Sequence, residues 1–531
     1  MSSVAPSAAA PSQTPPLGAL TPAPAAVAAP EPARLLLWLL AAALLPRLGL
    51  FFFNENLYGD AVVRTELAER WLGHPHWIRG YGDGTFQFGP LHVYLGALFL
   101  KLLPYREHAG RLMSLVFGTL SVVPLYALTR RLFGWKAAAW ACLALAAWGM
   151  HLQMSTTAAS EALALFLMLG VFALYAEALD ENRFAPLFWS AVLLNFACAT
   201  RYDAWMYMPL LTGLLLFSPG DVVARVTRAV GFGLVCLPFP LVWMQGNELM
   251  HGDPFFPIHD IEKFHAAWVA DGVGRYGHLL YRLQNLGFWP AMALFTLTPG
   301  VALLGALGMR RAWKTERETR WLILSALLPA AFYAFKGAVL LNFVPLGRFT
   351  VTQLVVLLPF VWLGYETSVA GRSAGARRAV GVATVLLAVA MPLALGLYTF
   401  RRDGGLADTM RPVSPVTTNP VPIMEAARYL KAEAAAKGKG AILDDEPQLY
   451  MDLQLAFFSG LPELRMARYR WDTFRQRLAD ADPAVLVRFD NGNLAKDPGV
   501  KLEGRTLSVD GLRFEEVDGF HAPVHVYHRA P

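Results

Sequence analysis

Charge is scarce in this sequence. Only 16% of its 531 residues are Asp, Glu, Lys or Arg, where a soluble domain carries about 25%. With 55% hydrophobic residues and a mean hydropathy of +0.38, that shortage argues against a soluble globular chain. Cysteine is nearly absent. Cys142, Cys198 and Cys236 each fall inside an apolar run, which excludes a disulfide framework and a cysteine metal site. No basic segment precedes a hydrophobic one at the start of the chain. Residues 1–33, rich in Pro and Ala, therefore read as a disordered tail, not a cleavable signal peptide. The net charge of +6 is modest and fits the basic loops of a membrane protein better than nucleic-acid binding.

What is abundant is long apolar sequence. Several runs approach or exceed the roughly 18 residues that span a bilayer. Eleven spans are expected, near 35–53, 112–129, 137–151, 160–178, 184–199, 204–218, 229–246, 286–309, 321–335, 349–365 and 379–400. A further stretch, GPLHVYLGALFLKLLP (89–104), is apolar but short. Its 13 residues from Leu91 to Leu103 rise only about 20 Å as a helix, against a hydrocarbon core near 30 Å. It reads as an interfacial or re-entrant helix. The basic loops TRRLFGWK (129–136), DVVARVTR (221–228), RRAWKTERETR (310–320) and GRSAGARR (371–378) then share one side, the cytoplasmic one. The loops around Asp60, Glu161, Asp203, His251 and Arg348 share the other. The expected organisation is a tail (1–33), a transmembrane domain (34–400) and a C-terminal extracytoplasmic α/β domain (401–531). In the last, PIMEAARYLKAEAAA reads as a helix, GAILDD and AVLVRFD as strands, and VKLEGRTLSVDGLRFEEV as hairpins.

The polar residues of the outer side form the candidate site. Asp60 opens a helical pattern after the first span, as a helix cap or as a carboxylate held at the membrane surface. Glu55, between two asparagines, reads as an ordinary loop residue. Glu161 begins the fourth span, where an acid either complements the helix dipole or serves function. In ATRYDAW (199–205), Arg201 and Asp203 pair with each other, or Arg201 faces a phosphate. In NFVPLGRFTV (342–351), Arg348 either snorkels to the interface or grips a lipid phosphate through its bidentate fork. His251, in HGDPFFPIHD (251–260), is a further substrate-binding candidate. It and His259 lack convergent metal-ligand spacing. Two carboxylates, one or two arginines and an interfacial aromatic helix on one face suit sugar transfer from a phosphate-linked lipid. A carboxylate deprotonates the acceptor hydroxyl, and cations stabilise the departing phosphate.

The order of GDAVVRTELAERWL, GPLHVYLGALFLKLLP, AGRLMSLVFGTLSVVPLYALTRRLFG, HLQMSTTAASEALALFLML and ATRYDAW, with RFTVTQLVVLLP as a looser match, resembles a family. It is the GT-C superfamily of polyprenyl-phosphate-sugar glycosyltransferases. The nearest branch is that of the protein O-mannosyltransferases, the lipid A aminoarabinose transferase and the RgtA/B/C/D-like proteins. The resemblance implies an α-helical polytopic membrane enzyme, with Asp60 as base and Glu161 as the acid of the second outer loop. Many members carry Asp-Glu after the first span. Here Ala61 follows Asp60, so a second acid's role there lapses or passes elsewhere. The resemblance implies a polyprenyl-phosphate sugar donor and a glycan, lipid or protein acceptor. A place in a bacterial inner or plasma membrane is expected, and the parity of the basic loops puts the N-terminus in the cytoplasm and the site outside. Members differ over metals, so a divalent ion stays open. The rival readings are a polytopic transporter or lipid flippase, and a non-catalytic membrane subunit.

Overall fold

The computed structural model describes residues 31–54, 59–85, 89–400, 414–416, 421–437, 442–444, 451–461, 475–476, 478–480, 483–490, 492–520, 522 and 524–530. Most of the Pro/Ala-rich tail, Glu55 and the boundary expected at 401 lie outside these residues.

The first helix, α1 (Leu35–Phe53), is apolar apart from the buried Arg47, and it exposes most of its surface. Two shorter helices follow, α2 (Gly59–Gly73) and α3 (Pro90–Leu102). On α3 the buried residues Pro90, Val93, Ala97 and Leu100 recur at helical spacing, while Leu98, Lys101 and Leu102 are exposed. The helix thus packs on one side only, and it is too short to cross a bilayer. Next come α4 (Arg106–Leu120) and α5 (Val122–Ala147). The run breaks at Gly134, whose φ of 82° and ψ of 174° interrupt the helix inside the TRRLFGWK loop. A short helix α6 (Gly149–Met154) leads to α7 (Ser160–Glu181), the most enclosed of the long helices together with α4 and α5. Then follow α8 (Phe184–Cys198), α9 (Tyr207–Leu215), α10 (Val222–Cys236) and α11 (Pro238–His251).

The stretch 286–309, expected as one span, is two helices. α13 (His278–Thr296) follows α12 (Phe256–Tyr276) and meets α14 (Pro299–Thr315) at 119°. Thr298 adopts a positive φ of 70° at the corner, and Pro299 offers no backbone N–H to continue the ladder. The bundle ends with α15 (Arg320–Phe335), α16 (Val351–Val355), α17 (Val361–Val369) and α18 (Ala374–Phe400). By length and composition, five described helices could cross a membrane, or up to eight if each bent pair counts once. The protein is an integral membrane protein.

Polar contacts sort the helix ends. Arg131 pairs with Asp180 at 2.6 Å, and Arg228 donates to Asn182 at 3.1 Å. The loops 129–136 and 221–228 therefore meet at one end of the bundle. Arg311 reaches Thr367 at 3.1 Å, and Tyr365 reaches the Arg377 carbonyl at 3.1 Å, tying the other two basic loops together.

Beyond α18, the described residues build a six-stranded sheet in the order β1-β2-β6-β5-β4-β3. Its strands are β1 (Ile442–Asp444), β2 (Val485–Phe489), β3 (Lys501–Glu503), β4 (Thr506–Val509), β5 (Leu512–Glu516) and β6 (Val524–Arg529). β1 and β2 are parallel, and the rest pair antiparallel. Two helices, α19 (Val421–Lys437) and α20 (Met451–Ser459), pack beside it. Their apolar residues do not form a separate core. Ile423, Ala427 and Phe457 share one buried cluster with Ala61 and Val62 of α2 and with Met154, Ala158 and Ala159. Arg106 fastens the joint, pairing with Glu69 at 3.0 Å and lying 4.2 Å from the Phe457 ring.

α14 and α17 make backbone-to-backbone contact through small residues, the usual device where lipid offers no hydrophobic drive for helix association. A Cβ on Gly308 would run into the Phe360 carbonyl, and one on Gly364 into the Leu304 carbonyl. Gly364→Ala should lower stability in detergent by about 1–3 kcal/mol, the usual cost of overpacking. Gly375→Ala meets nothing within 4 Å and should be neutral or slightly stabilising. Thermal unfolding of both variants checks this, and equal melting would remove the close-packing account.

Candidate active site

α2 presents Asp60 and Arg64 one turn apart, with Arg64 3.9 Å from the Asp60 carboxylate. Arg348, just before α16, donates from Nη1 to the same carboxylate. α7 begins with Ser160 and Glu161. Arg201, held extended after α8, places Nη1 2.5 Å from Glu161 and 3.1 Å from the Ser160 hydroxyl. Its Nε donates to Asp203 at 2.9 Å. Phe349 is near both arginines, its ring 5.7 Å from Arg348 and 5.9 Å from Arg201. These distances fall within cation–π range. Five expected residues, Asp60, Glu161, Arg201, Asp203 and Arg348, thus occupy one neighbourhood. The same contact settles α3. A crossing between Asp60 and Glu161 would put the first loop at the opposite end of the bundle from Arg348, yet Arg348 grips Asp60.

His251 stands apart. Its Nε2 donates to the Tyr81 carbonyl at 2.7 Å, and its ring stacks on Phe256 with centroids 3.9 Å apart. Sharing a side of the membrane did not bring it to the cluster, because its ring already fastens the 76–85 loop to α12. Two neighbours were missed. Arg64 reads from sequence as one more solvent-facing charge on α2, although its spacing from Asp60 was a usable signal. His92 is hidden in the apolar stretch of α3 and is 2% exposed. The N-terminus of α3 is anchored beside Arg201, with Gly89 and Leu91 donating to the Thr200 and Ala199 carbonyls.

The electrostatics follow from packing. Burial pushes the Asp60 carboxyl up, but the charges of Arg348 and Arg64 outweigh it and hold the group below its ordinary value. Burial, reinforced by Arg64, drives His92 down to about 3, so its imidazole is neutral. A divalent metal fits poorly. Among the described residues no three of His, Cys, Asp and Glu gather as ligands, and guanidiniums already engage the carboxylates of Asp60 and Glu161.

Residues 87–243 match the family model described as dolichyl-phosphate-mannose-protein mannosyltransferase. Among solved structures, the chain is similar to ArnT from Cupriavidus metallidurans bound to undecaprenyl phosphate. Identity is 16%, coverage is 92% of this chain and 97% of that one, and the TM-score is 0.58. It is also similar to the archaeal oligosaccharyltransferase AglB from Archaeoglobus fulgidus, in complex with an inhibitory peptide and a dolichol-phosphate. There identity is 13%, coverage is 86% and 69%, and the TM-score is 0.54. The fold is that of the GT-C glycosyltransferases. No curated protein matches the sequence. The GT-C resemblance read from the motifs is borne out, and the matched family and both structures are glycosyltransferases.

The depressed Asp60 group sets a pH test. A carboxylate with a lowered folded-state pKa contributes stability above its unfolded value, about 3.9. That contribution is lost as pH falls through the lower folded value. Arg348→Met removes the main opposing charge and leaves burial to raise the group. The variant should melt well below wild type at pH 7, and the gap should shrink on acidification toward pH 4 as the Asp60 carboxylate, left with Arg64 alone among the named cations, is neutralised. Melting curves across that range check it, and a pH-independent gap would rule out the pair as the cause.

Proposed function

We propose that this protein moves a sugar from a polyprenyl-phosphate donor to a hydroxyl acceptor at the outer face of the membrane. The observation that carries the reading is the Arg348–Asp60 pair, which joins a phosphate-binding cation to a general base. In the unliganded site Asp60 is held ionised but is a weak base, because Arg348 and Arg64 stabilise its charge. A donor phosphate competes for Arg348. As the guanidinium turns to the phosphate, Asp60 keeps Arg64 but gives up its closest cation, and its basicity rises. Asp60 then takes the proton of the acceptor hydroxyl. The acceptor oxygen bonds to the anomeric carbon, and the carbon–oxygen bond to the phosphate breaks. The departing polyprenyl phosphate keeps its negative charge against Arg348, with Arg201 near. Glu161 orients the substrate while fixing Arg201, and Asp203 holds Arg201 from its other edge. His251 is left out of this site. An apolar cavity of about 860 Å³ between α1, α5, α14 and α18, lined by residues such as Leu50, Trp140 and Leu393, offers hydrocarbon surface for part of a lipid chain.

The transporter reading calls for polar groups along a path through the bilayer. The network described above gathers instead at helix ends on one face, which favours an enzyme. In this reading Lys136, Arg311 and Arg377 face the cytoplasm, and Asp60 and the C-terminal sheet face outward. Cysteine labelling from each side tests that orientation.

Asp60→Asn keeps the size and an acceptor oxygen for Arg348 but removes basicity. In reconstituted membranes with undecaprenyl-phosphate sugars, transfer should fall by at least about 10²-fold, with donor binding no weaker than in wild type. Arg348→Lys keeps charge without the fork, and should weaken donor binding by about 1–3 kcal/mol. Full transfer by Asp60→Asn would remove the base assignment. If Glu161→Gln were then inactive, the two acids would exchange roles.

A further inference from the structure

The chain that leads to Arg348 has no regular structure. It runs between a short π-helical turn, Lys336–Leu340, and a 3₁₀ turn, Gly347–Thr350. Backbone groups in such a segment have no helix or strand to satisfy them, so their hydrogen bonds must go elsewhere. Val344 finds its partner on α12. Its N–H donates to Nδ1 of His265 at 2.9 Å, across 79 positions of sequence. His265 is buried, with 4% of its surface exposed.

The ring makes further contacts with the same segment. It stacks with Phe343, the centroids 5.0 Å apart and the planes 24° from parallel. It also stacks with Phe349, at 6.2 Å and 21°. These two phenylalanines lie on either side of Arg348 in the chain, and the Phe349 ring is 5.7 Å from the Arg348 guanidinium. Glu262, one turn before His265 on α12, pairs with Lys336 at 2.5 Å. α12 therefore grips the approach to Arg348 at both of its ends.

The hydrogen bond fixes the state of the imidazole. A backbone N–H only donates, so Nδ1 must accept and the ring proton stays on Nε2. Burial, then the charges of Lys336 and Arg348, lower the group to about 4 against the opposite pull of Glu262, so the ring is neutral at pH 7. An apolar side chain could fill the same space, but it would leave the Val344 N–H without this acceptor. The Arg348–Asp60 pair cannot do the same work once a phosphate has drawn the guanidinium away. We propose that His265 is a positioning residue for Arg348, fixing through Val344, Phe343 and Phe349 the backbone from which the arginine reaches the lipid phosphate. This rests on the glycosyltransferase reading, in which Arg348 binds the donor phosphate, and adds what aims it.

The full chain in nanodiscs is titrated with undecaprenyl phosphate. His265→Phe keeps an aromatic ring for the stack but removes the acceptor. Affinity should fall about 2- to 12-fold, the worth of one hydrogen bond. His265→Asn sets its amide oxygen close to where Nδ1 stands and should recover much of the loss. His265→Gln carries its amide one carbon further, toward the place of Nε2, and should recover little. If His265→Phe fails to fold, the Asn and Gln variants decide the matter between them. A second measurement joins His265 to Arg348. In an Arg348→Lys background the loss from His265→Phe should shrink, because the fork that it aims is gone. Unchanged affinity in His265→Phe, a Gln variant that binds as well as the Asn variant, or the same loss in both backgrounds would each overturn the positioning role. If wild type does not bind the lipid, or Arg348→Lys binds it equally well, the phosphate role of Arg348 fails first and the positioning role goes with it.

Discussion

The ion pair between Arg348 and Asp60 joins residues 288 positions apart, and much of this end of the molecule is organised around it. It holds the start of α2 against the start of α16. It fixes the first loop on the same side as the helix ends bearing Glu161 and Arg201. It also sets the resting charge of the candidate base. Breaking such a buried pair from one side is costly, typically about 3–5 kcal/mol, because the remaining charge is stranded. Only a ligand that replaces one partner with an equivalent charge avoids that cost. A phosphate offered to Arg348 is such a replacement, and it leaves Asp60 free to accept a proton instead of a guanidinium.

The wider cluster extends the same logic. Asp60, Glu161 and Asp203 face Arg64, Arg201 and Arg348, so the unliganded site is close to neutral. An excess of carboxylates would have favoured a metal ion, and an excess of arginines would have held anions of any kind. Balance instead suits the proposed donor, which would bring its own negative charge to the arginines. Phe349 offers its ring to both guanidiniums, an attraction that adds no charge. Like charges can therefore sit close enough to share one substrate.

Topology made most of this legible in the sequence. Asp60, Glu161, Arg201, Asp203 and Arg348 were each found as polar residues at span ends, and side-counting put them on one face. Side-counting carries no lateral information, however. His251 shares the face but belongs to a different contact, and nothing in its sequence distance from Tyr81 reveals that. Arg64 was masked by its own helix, where Glu66, Glu69 and Arg70 make every charge look solvent-directed. His92 was masked by apolar neighbours, since hydropathy averages away a single buried polar residue. The sharp corner between α13 and α14 escaped for a related reason. Hydropathy records depth and not direction, and Thr298–Pro299 lies inside a run apolar enough to read as one helix. In the C-terminal unit the strands β1 to β5 were readable from alternation, whereas β6 is interrupted by two histidines in VHVYHR and only its pairing with β2 and β5 defines it.

The shared core between α2 and the C-terminal unit gives that unit a physical role in the site. One face of α2 carries Asp60 and Arg64 to the arginine cluster. Another buries Ala61 and Val62, both fully inaccessible, against residues such as Ile423 and Phe457. The helix is therefore gripped from two directions by two different forces. Ion pairs alone would let it slide, because charged side chains are long and their attraction changes slowly with distance. Apolar packing alone would fix its position but not the rotation that aims a carboxylate. Small alanine and valine side chains against a rigid sheet-backed surface set where α2 sits, and Arg348 sets where Asp60 points. General-base chemistry needs both, since a misplacement of about 1 Å costs on the order of 10²-fold in rate. The C-terminal unit folded onto the bundle is thus a means of holding the helix that carries the candidate base.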